Sequence, residues 1–258
     1  MFGCAGKGLA AVVDPQDRDV DSYVEFAAAK GMRITHVIDT HVHADHISGG
    51  RALAERTGAA YALHASAPVT FSFFPLRDGQ EVQLGNVTAR VLHTPGHTPE
   101  SVCLLVTDAT RGTEPWFLLT GDTLFVGSVG RPDLSEHVER DAKELYRSLQ
   151  HQILPLPDNL EVYPGHFSGS VCGEGMSGKP MSTLGFERRF NPLLSAVSES
   201  EFVRSIRQTV LPEIGQKEMI LRRNGDGMGA NGCGPKVEIG DCRTLVAASR
   251  RVFDDIEM

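Results

Sequence analysis

The chain has 258 residues, 41% of them hydrophobic and 22% charged, which is ordinary globular usage with ample apolar material for a core. Its net charge is -8 and no Lys/Arg block alternates with aromatic residues, so the electrostatic footprint of a nucleic-acid binder is missing and a small substrate fits better than a polyanion. Nowhere do ~18 apolar residues run together as a membrane span requires, no basic-then-apolar leader opens the chain, and five cysteines at irregular spacing argue for a reducing, cytoplasmic setting over a disulfide framework.

The apolar run GLAAVVDP predicts a buried strand stopped by Asp14-Pro15. In DVDSYVEFAAAKG, the spacing of Val20, Tyr23, Val24 and Ala27 predicts a helix, with Ser22 and Glu25 as a capping-box pair and Gly31 as its end. ITHVIDT is the next strand, running into THVHADHISGG, and a helix is expected from Ser48 to Thr57, closed by Gly58. EVQL-GN-VTARVL is a hairpin turning at Gly85-Asn86. SVCLLVT and WFLLT follow as short strands, then a helix over 138–150 with Ala142, Leu145 and Leu149 on one stripe, then the strand LEVYP.

A less regular part is expected from residue 168, with a helix in SESEFVRSIRQTVLP that places Phe202, Ile206 and Val210 on one face and uses Ser198 and Glu201 as its cap. The stretch NGDGMGANGCGP, 224–235, reads as irregular, and Asp241 to Ile256 as a final helix with Leu245, Val252 and Ile256 inward. Two parts are therefore expected, a catalytic domain over 1–192 and a helical extension packed on it over 193–258.

Three of the ten histidines, His41, His43 and His46, fall with Asp45 within six positions, on a loop at the carboxyl end of a strand, where open α/β sheets place their ligand sites. In an extended loop His41 and His43 point to the same side, and a bend at Asp45-His46 brings two more donors round, a set that suits one metal or two neighbouring ones. Later strands end on metal-capable side chains too: His97 after Pro95-Gly96, Asp122 after an apolar strand, and His166 after Pro164-Gly165. Singly each could be a turn residue or a helix cap. A buried carboxylate such as Asp122, however, needs a partner or a cation.

THVHADH, HTPGHT, TGDTLF and YPGH, in this order, resemble the metallo-β-lactamase superfamily, from about Gly8 to Pro192. The resemblance implies an αββα four-layer sandwich with the metal site along one edge. It places His41, His43 and His97 at a first metal position, Asp45, His46 and His166 at a second, and Asp122 reaching both. Aspartate at 122, where the zinc enzymes that open β-lactams carry cysteine, resembles the glyoxalase II and persulfide dioxygenase branch. VGRPDL and HTPGHTPES are similar to the bacterial persulfide dioxygenases, and so is the segment SGSVCGEGMSGKPMSTLGFERRFNPLL.

For this chain the resemblance implies one Fe(II) held by His41, His97 and Asp122, with positions left for a persulfide sulfur and for O2. His43, Asp45, His46 and His166 then orient the ligands and handle protons. The alternative is a centre of two zinc ions using all seven residues to hydrolyse a thioester, and a non-catalytic metal-stabilised binding protein is a third reading. Arg131 either holds a substrate carboxylate or pairs with Asp133, and Cys172 is either a thiol at the substrate mouth or an incidental one. Phe167-Ser168 stands where glutathione-using relatives carry an acidic residue and tyrosine, so Phe167 is a substrate-side candidate and glutathione is not the expected carrier. Relatives precede the first strand with another, which leaves that strand here without an edge partner or with one from a second chain, and a homodimer is expected.

Overall fold

The computed structural model describes residues 1–196, 198–208 and 213–226. The first half runs β1 (Phe2–Cys4), β2 (Leu9–Val13), α1 (Val20–Ala29), β3 (Arg33–Ile38), α2 (Gly50–Thr57), β4 (Ala60–His64) and β5 (Phe74–Leu76). The second runs β6 (Glu81–Leu84), β7 (Val87–His93), β8 (Val102–Asp108), β9 (Phe117–Gly121), β10 (Leu124–Phe125), β11 (Ser128–Val129), α3 (Val138–Ser148), β12 (Glu161–Pro164), β13 (Ser182–Thr183), α4 (Leu184–Phe190), α5 (Glu199–Gln208) and α6 (Lys217–Gly225). One sheet has the order β1-β2-β3-β4-β5 and the other β13-β12-β9-β8-β7-β6.

Alternation along the strands sorts the apolar residues into three layers. Ala11 and Ile38 of the first sheet meet Leu84, Val91 and Leu104 of the second, while the adjacent Val12 and Val37 turn outward to Val20, Ala27 and Leu53 of α1 and α2. Leu105 and Leu118 face the other way, onto Ala142 and Leu145 of α3 and Phe202 and Ile206 of α5. The result is the expected αββα sandwich.

Strand direction sets where function can sit. β2, β3, β4 and β5 run parallel. β7 is antiparallel to β8, β8 is antiparallel to β9, and β9 is parallel to β12, so β7, β9 and β12 all end on one edge. Among the described residues no helix is long and apolar enough to cross a membrane.

Several expectations are corrected. β2 is not left without an edge partner, because β1 of the same chain pairs with it from Phe2↔Ala11 to Cys4↔Leu9. Ser22 and Glu25 do not cap α1: they lie inside it, and the N-cap Asp19 makes no side-chain cap bond. The helix over 138–150 ends as an α-helix at Ser148 and continues as a π-helical turn, Leu149–Ile153. The part after residue 168 holds β13, α4 and α6 besides the expected helix, and Asn224 and Gly225 close α6 instead of opening a loop. The Ser198 cap is present, its hydroxyl accepting from Glu201 N at 3.2 Å. Val210, the Gly-rich stretch beyond Asp226 and the expected helix from Asp241 to Ile256 lie outside the described residues.

Candidate metal centre

His97, Asp122 and His166 each follow a strand of the second sheet and are each preceded by a glycine, Gly96, Gly121 and Gly165. At Gly96, φ is 143° and a Cβ would stand 2.4 Å from Leu145 of α3, so only glycine lets the Pro95-Gly96 turn lie on that helix and aim His97 at the edge. Gly165 works by proximity, since a Cβ there would meet Asp122 Oδ1 at 2.7 Å. β3 delivers His41 and β9 delivers Asp122, and these two with His97 bring one donor atom each within 4.8 Å of one another, all three buried. His97 Nε2 lies 3.4 Å and His41 Nε2 3.9 Å from Asp122 Oδ2.

The tautomers follow from what the other ring nitrogens do. His97 Nδ1–H donates to the Arg131 carbonyl at 2.9 Å, so Nε2 presents its lone pair. Thr40 Oγ1 gives its only proton to Asp14 Oδ2 at 2.9 Å and therefore accepts from His41 Nδ1 at 3.0 Å, which leaves the lone pair of His41 on Nε2. Burial lowers both imidazole pKa values, so both rings are neutral. Burial opposes ionisation of Asp122, but the charge and hydrogen bond of His166 outweigh it and hold the carboxyl below its usual range. His41 Nε2 and Asp122 Oδ2 are buried without a hydrogen-bond partner among the described residues. Two neutral imidazoles and a carboxylate facing one point with unsatisfied atoms are what a divalent transition metal requires, and the residues fit one.

The three histidines among the other four residues each bond to a carboxylate. His166 donates from Nδ1 to Asp122 Oδ1 at 2.8 Å and from Nε2 to Asp45 Oδ2 at 3.0 Å. Burial alone would lower its pKa, but the two carboxylates raise it, so His166 is an imidazolium. Asp45 Oδ2 also accepts from His46 Nδ1 at 3.1 Å. His43 Nε2 donates to Asp14 Oδ1 at 3.1 Å, and Asp14 raises His43 to about 9 against the effect of burial. His166 thus sits between the carboxylates of Asp45 and Asp122, and His43 against that of Asp14. His43 Nδ1, Asp45 Oδ1 and His46 Nε2 remain buried without partners among the described residues and lie together.

Arg131 is buried, with its guanidinium on Asp133 at 2.6 and 2.8 Å and on the Val171 carbonyl at 3.0 Å, while its own carbonyl aims His97. Cys172 is buried beside His166, and burial pushes its thiol up to about 11. Phe167 is exposed next to His166.

Three residues that hold the ligand loop escaped the sequence reading. Asp14 takes Thr40 N at 2.7 Å besides its other two bonds, yet in sequence it reads as a strand stop. A carboxylate closing an apolar run was the available signal, as it was for Asp122. Glu100, buried, accepts from Val42 N at 3.0 Å, and Asn224 bonds the loop from α6; neither carries a sequence signal.

Among relatives, the bovine mitochondrial persulfide dioxygenase ETHE1 is 27% identical over 215 residues, 83% of this chain and 78% of that protein. A probable hydroxyacylglutathione hydrolase of Schizosaccharomyces pombe is also 27% identical, over 78% of this chain and 83% of that protein. Of solved structures, a metallo-β-lactamase from Staphylococcus aureus superposes with a TM-score of 0.82 at 33% identity, covering 90% of this chain and 70% of that one. ETHE1 from Myxococcus xanthus gives 0.75 at 32% identity, covering 86% and 90%. Residues 6–166 match the family model described as the metallo-β-lactamase superfamily, and with the four-layer sandwich and the donor set at its edge, the chain belongs to that superfamily.

Proposed function

We propose that the protein is a persulfide dioxygenase with one Fe(II) per chain on His41, His97 and Asp122. The observation that carries this reading is the division of the seven residues. His41, His97 and Asp122 bring one donor atom each to one point, whereas His166, which a second metal would need, has both nitrogens bonded to carboxylates. The likeness to ETHE1 from Myxococcus xanthus and to the bovine persulfide dioxygenase supports it.

Iron(II), when bound to two imidazoles and a carboxylate, supplies open positions for a sulfur and for O2 together with the redox step. The overall conversion is persulfide plus O2 plus water to thiol, sulfite and two protons. The Arg131 carbonyl and the Asp14–Thr40 pair keep His97 and His41 in the ligating tautomer. His166 fixes Asp122 so that Oδ2 faces the centre, and Asp45 fixes His166 in turn.

A second reading, a dinuclear thioester hydrolase, is favoured by the unpartnered His43 Nδ1, Asp45 Oδ1 and His46 Nε2, and by the hydrolase relative. Metal analysis of anaerobically purified protein, paired with oxygen uptake, separates the two. One iron per chain and persulfide-dependent oxygen consumption are expected. Two metals per chain with hydrolysis of S-lactoylglutathione and no oxygen uptake would overturn the proposal.

A further inference from the structure

We propose that Asn224, in the last turn of α6, is a positioning residue for the metal centre. Its side chain is buried and lies against the loop that carries His43, Asp45 and His46, some 180 residues earlier in the chain. Nδ2 donates to the His43 carbonyl and to the His46 carbonyl, each at 2.9 Å, and Oδ1 accepts from Ser48 N at 3.0 Å. Two carbonyls and one N–H face the amide, so its orientation is fixed by its partners and both N–H donors and the oxygen are used.

Among the described residues no main-chain group bonds either of those two carbonyls, so the amide supplies what a helix or strand would supply elsewhere. By tying the carbonyls on both sides of Asp45 to one point, Asn224 sets the bend that turns Asp45 toward His166. From there the path to the metal is short: Asp45 Oδ2 takes His166 Nε2–H, and His166 Nδ1–H holds Asp122 Oδ1, leaving Oδ2 for the metal. α6 is held independently of this loop by Thr70 N on the Gly225 carbonyl at 2.9 Å and by Arg51 Nη2 on the Arg223 carbonyl at 3.3 Å. α6 therefore acts as a strap, and Asn224 is the point where it reaches the ligand loop. The inference rests on the reading of His41, His97 and Asp122 as a metal centre, and it holds for either nuclearity.

Asn224→Asp tests it, because the substitution keeps the shape and the acceptor for Ser48 N–H but turns an oxygen toward the two carbonyls. Arg51→Met is the control that loosens α6 without touching the loop. Apo-protein is titrated with Co(II) against a chelator under anaerobic conditions, reading affinity and the d–d absorption that reports ligand geometry, and apo-protein melting is read alongside. Asn224→Asp is expected to weaken Co(II) binding by about 10–100-fold and to change the d–d bands, as loss of groups that hold metal ligands does. Arg51→Met is expected to bind as wild type at a comparable melting temperature.

Wild-type affinity and bands in Asn224→Asp would reduce Asn224 to a docking residue and overturn the inference, as would an equal loss in Arg51→Met. Should Asn224→Asp fail to fold, hydrogen exchange of the Ser48 amide in wild-type apo-protein decides the matter. Strong protection is expected, and exchange at the rate of an exposed loop refutes the bond. Wild-type protein that binds no Co(II) would remove the metal centre itself, a result distinct from a loss confined to the variant.

Discussion

Replacing Asp14 by asparagine should weaken metal binding by reversing a tautomer two residues removed from the metal. Thr40 Oγ1 lies 2.9 Å from Asp14 Oδ2 and 3.0 Å from His41 Nδ1. A carboxylate only accepts, so the hydroxyl proton points to Asp14 and His41 keeps its proton on Nδ1. In Asp14→Asn the amide oxygen can stay where Oδ1 is, on Thr40 N at 2.7 Å and His43 Nε2 at 3.1 Å, which puts the NH2 group at the place of Oδ2. Thr40 then accepts from that NH2 and gives its own proton to His41 Nδ1, forcing the His41 proton onto Nε2, where the metal has to bind. Restoring the ligating tautomer leaves a buried hydrogen-bonding group unsatisfied, at about 1–3 kcal/mol. That is about 5–150-fold in metal affinity. Co(II) titration of apo-protein measures it, with Thr40→Val and the double variant completing a cycle. Loss of the Asp14 charge alone would add to the effect of Thr40→Val, whereas the tautomer effect needs the hydroxyl. A coupling of ~1 kcal/mol or more is therefore expected between the two sites. Additive effects, or wild-type affinity in Asp14→Asn, would refute the reasoning.

Changing His41, His97 or Asp122 to alanine removes one of three ligands and should abolish metal retention, while His46→Ala and His166→Ala should keep the metal and cost about 10–100-fold in activity or affinity; metal content per chain checks this, and a fall from two to one in the His46 and His166 variants would establish the dinuclear centre. With its thiol pushed up to about 11, Cys172 is neutral near pH 7, so its alkylation by iodoacetamide should stay slow there and accelerate only as pH approaches 11. Fast modification at neutral pH would show a thiolate. With Phe167 exposed beside His166, glutathione persulfide should not be strongly preferred over persulfides of smaller thiols, and oxygen uptake across a series of carriers tests that.

The parts of the molecule legible in the sequence were those with a local cause. The Gly85-Asn86 turn joins β6 to β7 at the expected register, Leu84 opposite Val87, because a two-residue turn fixes the hairpin around it. His41, His97, Asp122 and His166 could be read as one group because each follows a strand, β7, β9 and β12 of one sheet for the last three and β3 of the facing sheet for His41. β1 and β13 were invisible for the opposite reason: with three and two residues they carry no period, and the pairing of β13 with β12 depends on where the chain arrives, not on what it contains. Asn224 shows the same limit at the site. Beside Gly225 it has the composition of a loop, and only the docking of α6 turns its amide into a partner for the His43 and His46 carbonyls.

The same physics explains why motif alone leaves the number of metals open. Every residue that a dinuclear centre requires is present, and the choice falls to His166. As an imidazolium between Asp45 and Asp122 it uses both nitrogens as donors and adds a positive charge beside the centre, which disfavours a second cation there. To ligate, it must shed a proton and one carboxylate bond, so a second metal has to repay a charge-assisted hydrogen bond before it gains an imidazole. Binding of a second ion should therefore release protons that binding of the first does not, because His41 and His97 are already neutral with their lone pairs turned inward. On the mononuclear reading proposed above, the number of metals depends less on which ligands the sequence supplies than on how firmly Asp45 and Asp122 hold His166 between them.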